Sequence, residues 1–354
     1  MSKVYINSVA SISAQRTFDN SEFLEAFIDH DDTVMSVIDP NYKEYIPPAA
    51  ARRMAKGIKM GVVASKIALQ EAKLENVDAI ITGTGFGCTV DSEKFVSALI
   101  DNDEQYLTPT SFIQSTHNTV GGQIALGLGC KGYNFTYVHA SISFESALLD
   151  AQLQLENDEA SSILVGGVDE SGDHTVKIHR LINHIKKEKI KSSELLKSKT
   201  EGAIFSEGAN FFVLSNSKQN DTYATLGAIV TYNTLAKENL NQVLEDFLKE
   251  NNLDVGNIDV VVMGNNGDVT FDSWYHELSK GLFKNTAQVA FKHLCGEFYT
   301  ASGFGTWLAA KMIKTQKIPE IVKLNKETTT QINTVLLYNQ YRGENHSFTL
   351  LYRC

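Results

Sequence analysis

The stretch YVHASISFESALL, Tyr137–Leu149, joins an apolar run to a segment with helical spacing through a short group of small and polar residues. A strand that ends, turns sharply and lifts one side chain over the first turn of a helix is a common way to expose a nucleophile. Ser141 lies at the centre of this turn. The sequence therefore predicts that Ser141 is either a nucleophile or the residue at a position where a nucleophile is missing.

Buried strands and amphipathic helices alternate on both sides of this turn. Four apolar runs are typical of strands buried on both faces: Ala79–Gly85, Ser162–Val168, Ala209–Ser215 and Asp259–Asn265. Four segments have helical spacing of apolar residues: Ala51–Ala72, Ser143–Asn157, Leu240–Asn252 and Ala301–Gln316. This alternation predicts an α/β fold.

The two parts of the chain repeat one pattern. Leu74–Ile81 and Val255–Val262 each follow a helical segment, pass through an acidic turn and enter a buried strand that ends at glycine. Such self-similarity is a weak sign of internal duplication. We expect two similar halves, residues 1–215 and 216–354, with the boundary in the polar stretch Ser215–Thr225.

Composition limits the possible partners. A net charge of -10 argues against nucleic acid and against anionic membrane surfaces. The segment Lys186–Lys191 could still contact an acidic carrier protein, although a solvated loop or helix face is favoured. Four scattered cysteines suggest neither a zinc site nor a redox pair, and no cofactor is expected. The absence of a long apolar segment predicts no membrane span, and we expect a cytoplasmic protein.

Several segments, in the same order along the chain, resemble the β-ketoacyl synthases of the thiolase-like superfamily. Glu201–Ser215 is similar to their Gly-Glu-Gly-Ala segment, with Ser206 in place of the first glycine. Ser162–Glu170 resembles the strand and turn after their nucleophile helix, and Thr110–Gly132 the segment before their nucleophile strand. Similar matches occur at Lys317–Ile321 and Asn339–Tyr352. The resemblance implies a five-layer αβαβα fold built from two similar halves.

The resemblance also implies dimers that pair along the strand before the turn, here Tyr133–Ala140. Ketosynthases of this family take an acyl chain from an acyl carrier protein onto a cysteine. Two histidines then assist decarboxylation of a malonyl extender and stabilise the enolate oxygen, and a lysine supports the network. A thiolate forms readily at a helix N-terminus, and imidazoles can donate hydrogen bonds where negative charge develops.

Three of these four catalytic positions differ in this chain. The resemblance places the cysteine at Ser141, the first histidine at Asn266 and the second histidine at Glu297. Only the lysine is kept, as Lys292. A serine needs an adjacent base to become a nucleophile, and an ionised carboxylate has the wrong charge beside an enolate. A Glu297–Lys292 ion pair that fills the emptied site is the favoured interpretation, and Glu297 as a base for Ser141 is the alternative.

Other side chains could replace the missing groups. His139 lies two residues before Ser141 and shares a side of the incoming strand, although it could instead face a partner subunit. His293 follows Lys292 and could replace an imidazole out of register. His117 is more typical of a structural histidine, and Cys295 of a small buried hydrophobic residue.

Three hypotheses for the function follow. The first is a non-condensing partner similar to a chain-length factor, which pairs with an active ketosynthase in fatty-acid, polyketide or aryl-polyene biosynthesis. The second is a Ser141-dependent acyltransferase or acyl-ester enzyme that acts on acyl carrier protein substrates, with Glu297 or His139 as base. The third is an acyl-binding homodimer. The loss of the thiol and of both imidazoles in a chain that keeps its scaffold motifs favours the first, so we expect a scaffold that is inactive in condensation.

Overall fold

Strands and helices alternate through residues 3–354, the part of the chain that the computed structural model describes. Up to Ser215 the elements are β1 (Val4–Ile12), α1 (Pro48–Ala51), α2 (Lys56–Ala72), β2 (Ala79–Gly83), α3 (Thr89–Asp101), α4 (Pro109–Ser115), α5 (Thr119–Leu128), β3 (Tyr133–Tyr137), α6 (Ser143–Glu156), β4 (Ser162–Asp169), α7 (Asp173–Leu181) and β5 (Gly208–Ser215). After it come β6 (Ala224–Thr234), α8 (Leu240–Glu250), β7 (Val260–Met263), α9 (Asp272–Lys280), β8 (Ala287–Ala290), α10 (Lys292–Cys295), α11 (Ser302–Thr315), β9 (Thr334–Tyr341) and β10 (Glu344–Tyr352).

The ten strands form one sheet in the order β3-β2-β4-β5-β1-β6-β10-β9-β7-β8. From either edge inward, the first two pairings are parallel and the next two are antiparallel. The two sets of five strands meet where Val4–Ile6 of β1 pairs with Ala224–Leu226 of β6. The strand order is therefore repeated in the two parts of the chain, while the exact boundary at residues 215 and 216 stays a prediction.

Helices cover both faces of each set of strands. One apolar core joins α2 and α5 to the first set, and another joins α8 and α9 to the second set. Between the two sets lie α6 and α11, whose apolar residues share one core with strands of both. The arrangement has five layers, helix–sheet–helix–sheet–helix, and the predicted fold class is confirmed.

The predicted helix Ala51–Ala72 is interrupted in the structure. α1 ends at Ala51 and α2 begins at Lys56. The Glu170 carboxylate accepts the backbone N–H of Gly57 at 2.6 Å, which satisfies a free donor in the first turn of α2 and places a negative charge at its positive end. Within residues 3–354, no helix combines the length and the apolar character needed to cross a membrane.

The loops after several parallel strands are brought to one region of the molecule. β2, β3 and β4 run in one direction, as do β7, β8 and β9. Asp169, at the end of β4, accepts hydrogen bonds from the backbone and the hydroxyl of Thr300, 2.9 and 2.8 Å away, in the segment between α10 and α11. These bonds tie the loops of the first set of strands to those of the second.

Candidate functional site

The turn before α6 has the sharp geometry that the sequence predicts. Ala140 adopts a left-handed backbone conformation, with φ of 49°, and Ala140–Ile142 form a single 3-10 turn. The hydroxyl of Ser143 accepts the backbone N–H of His139 at 2.8 Å, which locks the entry into α6. A Cβ at Gly83 would lie 2.5 Å from the carbonyl oxygen of Ser143, so only glycine lets the first turn of α6 pack on the end of β2.

Ser141 is buried in this turn, but it has no base beside it. The residue is 2% exposed, and its Oγ accepts a hydrogen bond from Nδ2 of Asn345 at 3.1 Å. Within residues 3–354 this hydroxyl makes no hydrogen bond to an imidazole or a carboxylate. The ring of His139 is directed elsewhere, with Nδ1 3.3 Å from the hydroxyl of Ser146. A serine in this environment keeps its proton and is a poor nucleophile.

Asn266, Lys292 and Glu297 come together in one buried cluster. Oε2 of Glu297 accepts a hydrogen bond from Nδ2 of Asn266 at 2.7 Å and from Nζ of Lys292 at 2.8 Å. The side chains of Lys292 and Glu297 are 1% and 2% exposed, so the ion pair is shielded from solvent. The carboxylate is therefore held by a cation and an amide in the place where the resemblance puts the histidines.

The backbone fixes the position of Glu297. Its N–H donates to the carbonyl of Ile204 at 2.8 Å, and its carbonyl accepts the N–H of Ser206 at 3.0 Å. The preceding residue, Gly296, has a φ of 74°, and a Cβ there would lie 2.3 Å from the Cβ of Ser206. A side chain at position 296 is excluded by both the conformation and the space.

Asp272 orients the loop that carries Asn266, a role that the sequence alone does not reveal. Its two carboxylate oxygens accept the backbone N–H groups of Asn266 and Gly267, each at 3.0 Å. Burial raises the pKa of Asp272 to about 6, although these hydrogen bonds and Lys292 act in the opposite direction. Asn266 is also fixed through Oδ1, which accepts the N–H of Asp268 at 3.0 Å, so its Nδ2 faces Glu297. No local pattern distinguishes Asp272 from an ordinary acidic residue at the start of a helix.

Another buried carboxyl group that the sequence does not single out, Glu145, lies four residues after Ser141 in the first turn of α6. Oε1 of Glu145 accepts a hydrogen bond from the hydroxyl of Ser347 at 2.9 Å, and Oε2 has no partner within residues 3–354. Burial raises the pKa of Glu145, opposed by hydrogen bonds and by Lys292. The only signal in the sequence is a glutamate on the buried face of an otherwise small and apolar helix turn.

Aromatic rings close the cleft that leads to Glu297. Tyr299 packs over Gly85 and lies edge-on to Phe86, with ring centroids 4.7 Å apart. On its other side the ring of Tyr341 lies 5.2 Å away. The cleft that these residues share with Glu297 has a volume of only about 40 Å³. This space is enough for a few water molecules.

The remaining candidates stay outside the cluster. Nε2 of His293 bonds to the carbonyl of Ile321 at 2.9 Å, and burial lowers the pKa of His293 to about 4. His117 is exposed and packs against Gly87. Cys295 is buried, and burial raises the pKa of its thiol. Within residues 3–354, no three His, Cys, Asp or Glu side chains are grouped so that they could hold a metal ion.

The basic segment differs from the expected solvated loop at one position. Lys186 is buried, and its Nζ donates to the hydroxyls of Ser198 and Thr200 and to the carbonyls of Thr200 and Gly267, over 2.7–3.2 Å. Four oxygen acceptors compensate for the loss of water around the ammonium group. Lys186 therefore anchors the loop of Asn266 rather than facing a partner.

Comparisons with known proteins agree with this architecture. The sequence model of the β-ketoacyl synthase N-terminal domain matches residues 7–220, whereas no curated protein sequence matches the chain. Among solved structures, the ishigamide ketosynthase/chain length factor superposes with a TM-score of 0.82 at 15% identity, covering 99% of each chain. The type II polyketide synthase complex AntDE:AntF, a ketosynthase with its acyl-carrier protein, gives a TM-score of 0.75 at 18% identity, with 100% of each chain covered.

A third structure is the ketosynthase ApeO in complex with its chain length factor ApeC from Xenorhabdus doucetiae. Its TM-score is 0.76 at 13% identity, over 100% of this chain and 98% of that one. Identities this low establish the fold alone, but the sequence match extends over more than half of the chain. The chain therefore belongs to the β-ketoacyl synthase family, and the sharp turn before α6 and the five-layer architecture agree with this.

Proposed function

We propose that the chain is a non-condensing subunit that pairs with an active ketosynthase and shapes the cavity for its growing acyl or polyene chain. The observation that carries this proposal is the buried Lys292–Glu297 pair, at the positions to which the resemblance assigns the lysine and the second histidine. Condensation needs hydrogen-bond donors aimed at an oxygen that becomes negative. The carboxylate of Glu297 instead brings a negative charge into that place, and both of its neighbours are committed to it.

The surroundings of Ser141 support the same proposal. Its hydroxyl bonds to the amide of Asn345, which cannot accept a proton at neutral pH. The aromatic rings around the cleft leave little space beside Glu297, the only carboxylate that the sequence offered as a base. Both observations count against the alternative of a Ser141-dependent acyltransferase.

The edge strand β3 offers a surface for the partner subunit. Tyr133, Phe135, Tyr137 and His139 form a ladder of rings, with successive centroids 6.0, 4.9 and 5.9 Å apart. β3 has a neighbour on only one side, and Phe135 is 46% exposed. An open edge of this length with aromatic side chains is a template for pairing with another strand.

Apolar residues on the adjacent helices extend this edge. Leu126 on α5 and Leu153 on α6 are exposed, and both helices pack on β3. Soluble proteins rarely leave contiguous apolar patches uncovered. We propose that the edge of an active ketosynthase covers this surface; two of the structures that the chain resembles in fold hold a ketosynthase with a chain length factor.

An acyl carrier protein is the third proposed component. A cavity of about 370 Å³ near the end of α7 is lined by Arg180, Lys187 and Lys189, with Asp32 as its acidic group. Next to it α7 exposes apolar side chains, namely Ile178, Leu181 and Ile182. A basic rim beside an apolar surface is complementary to an acidic helical protein, although the whole chain carries a charge of -10.

The expected cytoplasmic location stays a prediction.

Co-expression with a Cys-His-His ketosynthase encoded by a neighbouring gene tests the proposed pairing. We expect a one-to-one complex by light scattering, which Phe135→Asp abolishes. Val269→Asp is the matched control, since Val269 is also 46% exposed but lies outside β3. A chain that remains a homodimer with every candidate partner contradicts the heterodimer and favours the acyl-binding homodimer.

Intact-mass measurement after incubation with acyl carrier protein thioesters tests the catalytic alternative. We expect no stable acyl adduct on the wild-type chain, because Ser141 has no base. A stable adduct that Ser141→Ala abolishes would instead support the acyltransferase. Binding of the carrier itself is measured separately, with Lys189→Glu expected to weaken it and the exposed Lys326→Glu as control.

A further inference from the structure

A groove beside α11 is lined by a buried cation. The groove has a volume of about 720 Å³ and lies between the segment of Asn20–Phe27 and the turn of Lys317–Ile321. Six apolar side chains line it, namely Phe23, Leu24, Phe27, Ile318, Pro319 and Ile321, together with polar and charged residues. A cavity of this size that combines apolar walls with polar groups is within the range of small-molecule sites.

The cation is Lys311, which lines the groove and is only 4% exposed. Its Nζ donates to the carbonyl of Asn20 at 2.7 Å. The rings of Phe23 and Trp307 lie 5.6 and 6.0 Å from the ammonium group. An ammonium group has three N–H donors, and within residues 3–354 only one of them has a hydrogen-bond acceptor.

The other buried lysines are compensated more fully. Lys292 has a carboxylate partner in Glu297, and Lys186 has four oxygen acceptors. No carboxylate of the described residues lies within ion-pair distance of Lys311, and burial lowers its pKa, opposed by the more distant Glu71 and Asp19. A buried ammonium group that has one carbonyl, two aromatic rings and no carboxylate around it is incompletely compensated, so an anion beside Lys311 would be stabilised.

We infer that this groove binds a monocarboxylate with an apolar body, of the class of medium-chain fatty acids. The carboxylate pairs with the Lys311 ammonium group, and the chain lies along Phe23, Phe27 and Ile321. Phosphate esters fit less well, since Lys311 is the only buried cation lining the groove, and the exposed Lys317 at its rim is accompanied by Glu25 and Glu320. This groove shares no residue with the β3 edge proposed for the ketosynthase partner or with the Lys292–Glu297 pair.

Calorimetric titration of the purified chain with dodecanoate, with dodecanol as the uncharged analogue, tests the inference. We expect saturable dodecanoate binding that Lys311→Met weakens at least tenfold, while weak dodecanol binding is unchanged. Lys317→Met, which removes a cation at the rim, is the matched control and should have less than a threefold effect. If Lys311→Met does not fold, the preference of the wild-type chain for dodecanoate over dodecanol tests the role of the charge, and Lys311→Arg, which keeps the charge, should retain dodecanoate binding.

Tryptophan fluorescence locates the site without relying on a variant of Lys311. The chain has two tryptophans, and Trp307 packs edge-on against Phe23 with centroids 5.8 Å apart. In a Trp274→Phe background, we expect bromododecanoate to quench the remaining fluorescence with the affinity found by calorimetry. No saturable dodecanoate binding, equal loss in both lysine variants, or binding without quenching would each overturn the assignment.

Discussion

Removing either partner of the buried Lys292–Glu297 ion pair should destabilise the chain strongly. The two single losses of stability should add up to more than the loss in the variant that lacks both charges. Nζ of Lys292 and Oε2 of Glu297 are 2.8 Å apart, a distance at which unit charges attract by about 6 kcal/mol at an effective dielectric constant of ~20. The loss of hydration costs several kcal/mol for each ion, so the net value of the pair is small. A single substitution leaves the other charge buried, and we expect Lys292→Met or Glu297→Gln to cost about 3–5 kcal/mol.

The double variant Lys292→Met/Glu297→Gln removes both charges at once. We expect its loss of stability to be about 2–3 kcal/mol smaller than the sum of the two single losses. For a chain of 354 residues, a loss of about 4 kcal/mol corresponds to a fall of about 5 °C in melting temperature. Urea unfolding at fixed protein concentration measures all three variants.

An exposed ion pair serves as the control. Lys197 and Glu194 are 3.2 Å apart, with side chains 74% and 53% exposed, so Lys197→Met should cost less than about 1 kcal/mol. Additive losses in the double variant, or losses for the Lys292 and Glu297 single variants as small as that of Lys197→Met, would contradict a desolvated ion pair. The cluster would then be hydrated or rearranged, and it would not be the closed structural element that its burial indicates.

Three further predictions concern neighbouring residues. The folded chain holds the proton of Asp272 more tightly than the unfolded chain, so its contribution to stability is fully present below about pH 4 and is lost as the pH rises through about 6; urea midpoints of Asp272→Asn should depend less on pH over this range, and an unchanged slope would contradict this. Gly296→Ala should cost about 2–5 kcal/mol, because its Cβ has no space beside Ser206, and a loss below 1 kcal/mol by the same assay would count against the backbone argument. Ser141→Cys alone should give no malonyl-dependent condensation in a radiolabelled product assay, because no imidazole accompanies the new thiol; measurable product would show that another base reaches position 141.

The strands that are buried on both faces could be predicted because their signal is local. β2 and β4 carry unbroken apolar runs, and turns follow them directly. The position of β1 could not be predicted in the same way. Its sequence indicates a short alternating strand, but pairing with both β5 and β6 buries nearly every side chain of Val4–Ile12. That burial comes from segments about 200 residues or more away in the chain, which no local pattern reports.

The site was partly accessible from sequence for a similar reason. Lys292 and Glu297 lie five residues apart, and the resemblance placed Asn266 near them. The structure brings these three together, while it leaves Ser141 with a separate partner. The closure of the cleft by Tyr299 was not visible, because it depends on a ring packing over a glycine in another loop.

The two substituted positions of the cluster, Asn266 and Glu297, are easier to understand as one unit with the retained Lys292 than as separate losses. An ionised Glu297 in a dry site needs donors, and Asn266 and Lys292 supply them through the same oxygen, Oε2. Restoring a histidine at one position alone would break this set and leave a buried donor or charge without its partner. Gly267 and Gly296 hold left-handed or otherwise restricted backbone conformations that the fold requires whatever the chemistry. Selection for shape alone would keep such glycines, while the side chains at the reactive positions could change to a set that is stable when buried. We expect this combination in a subunit that shapes a partner's cavity.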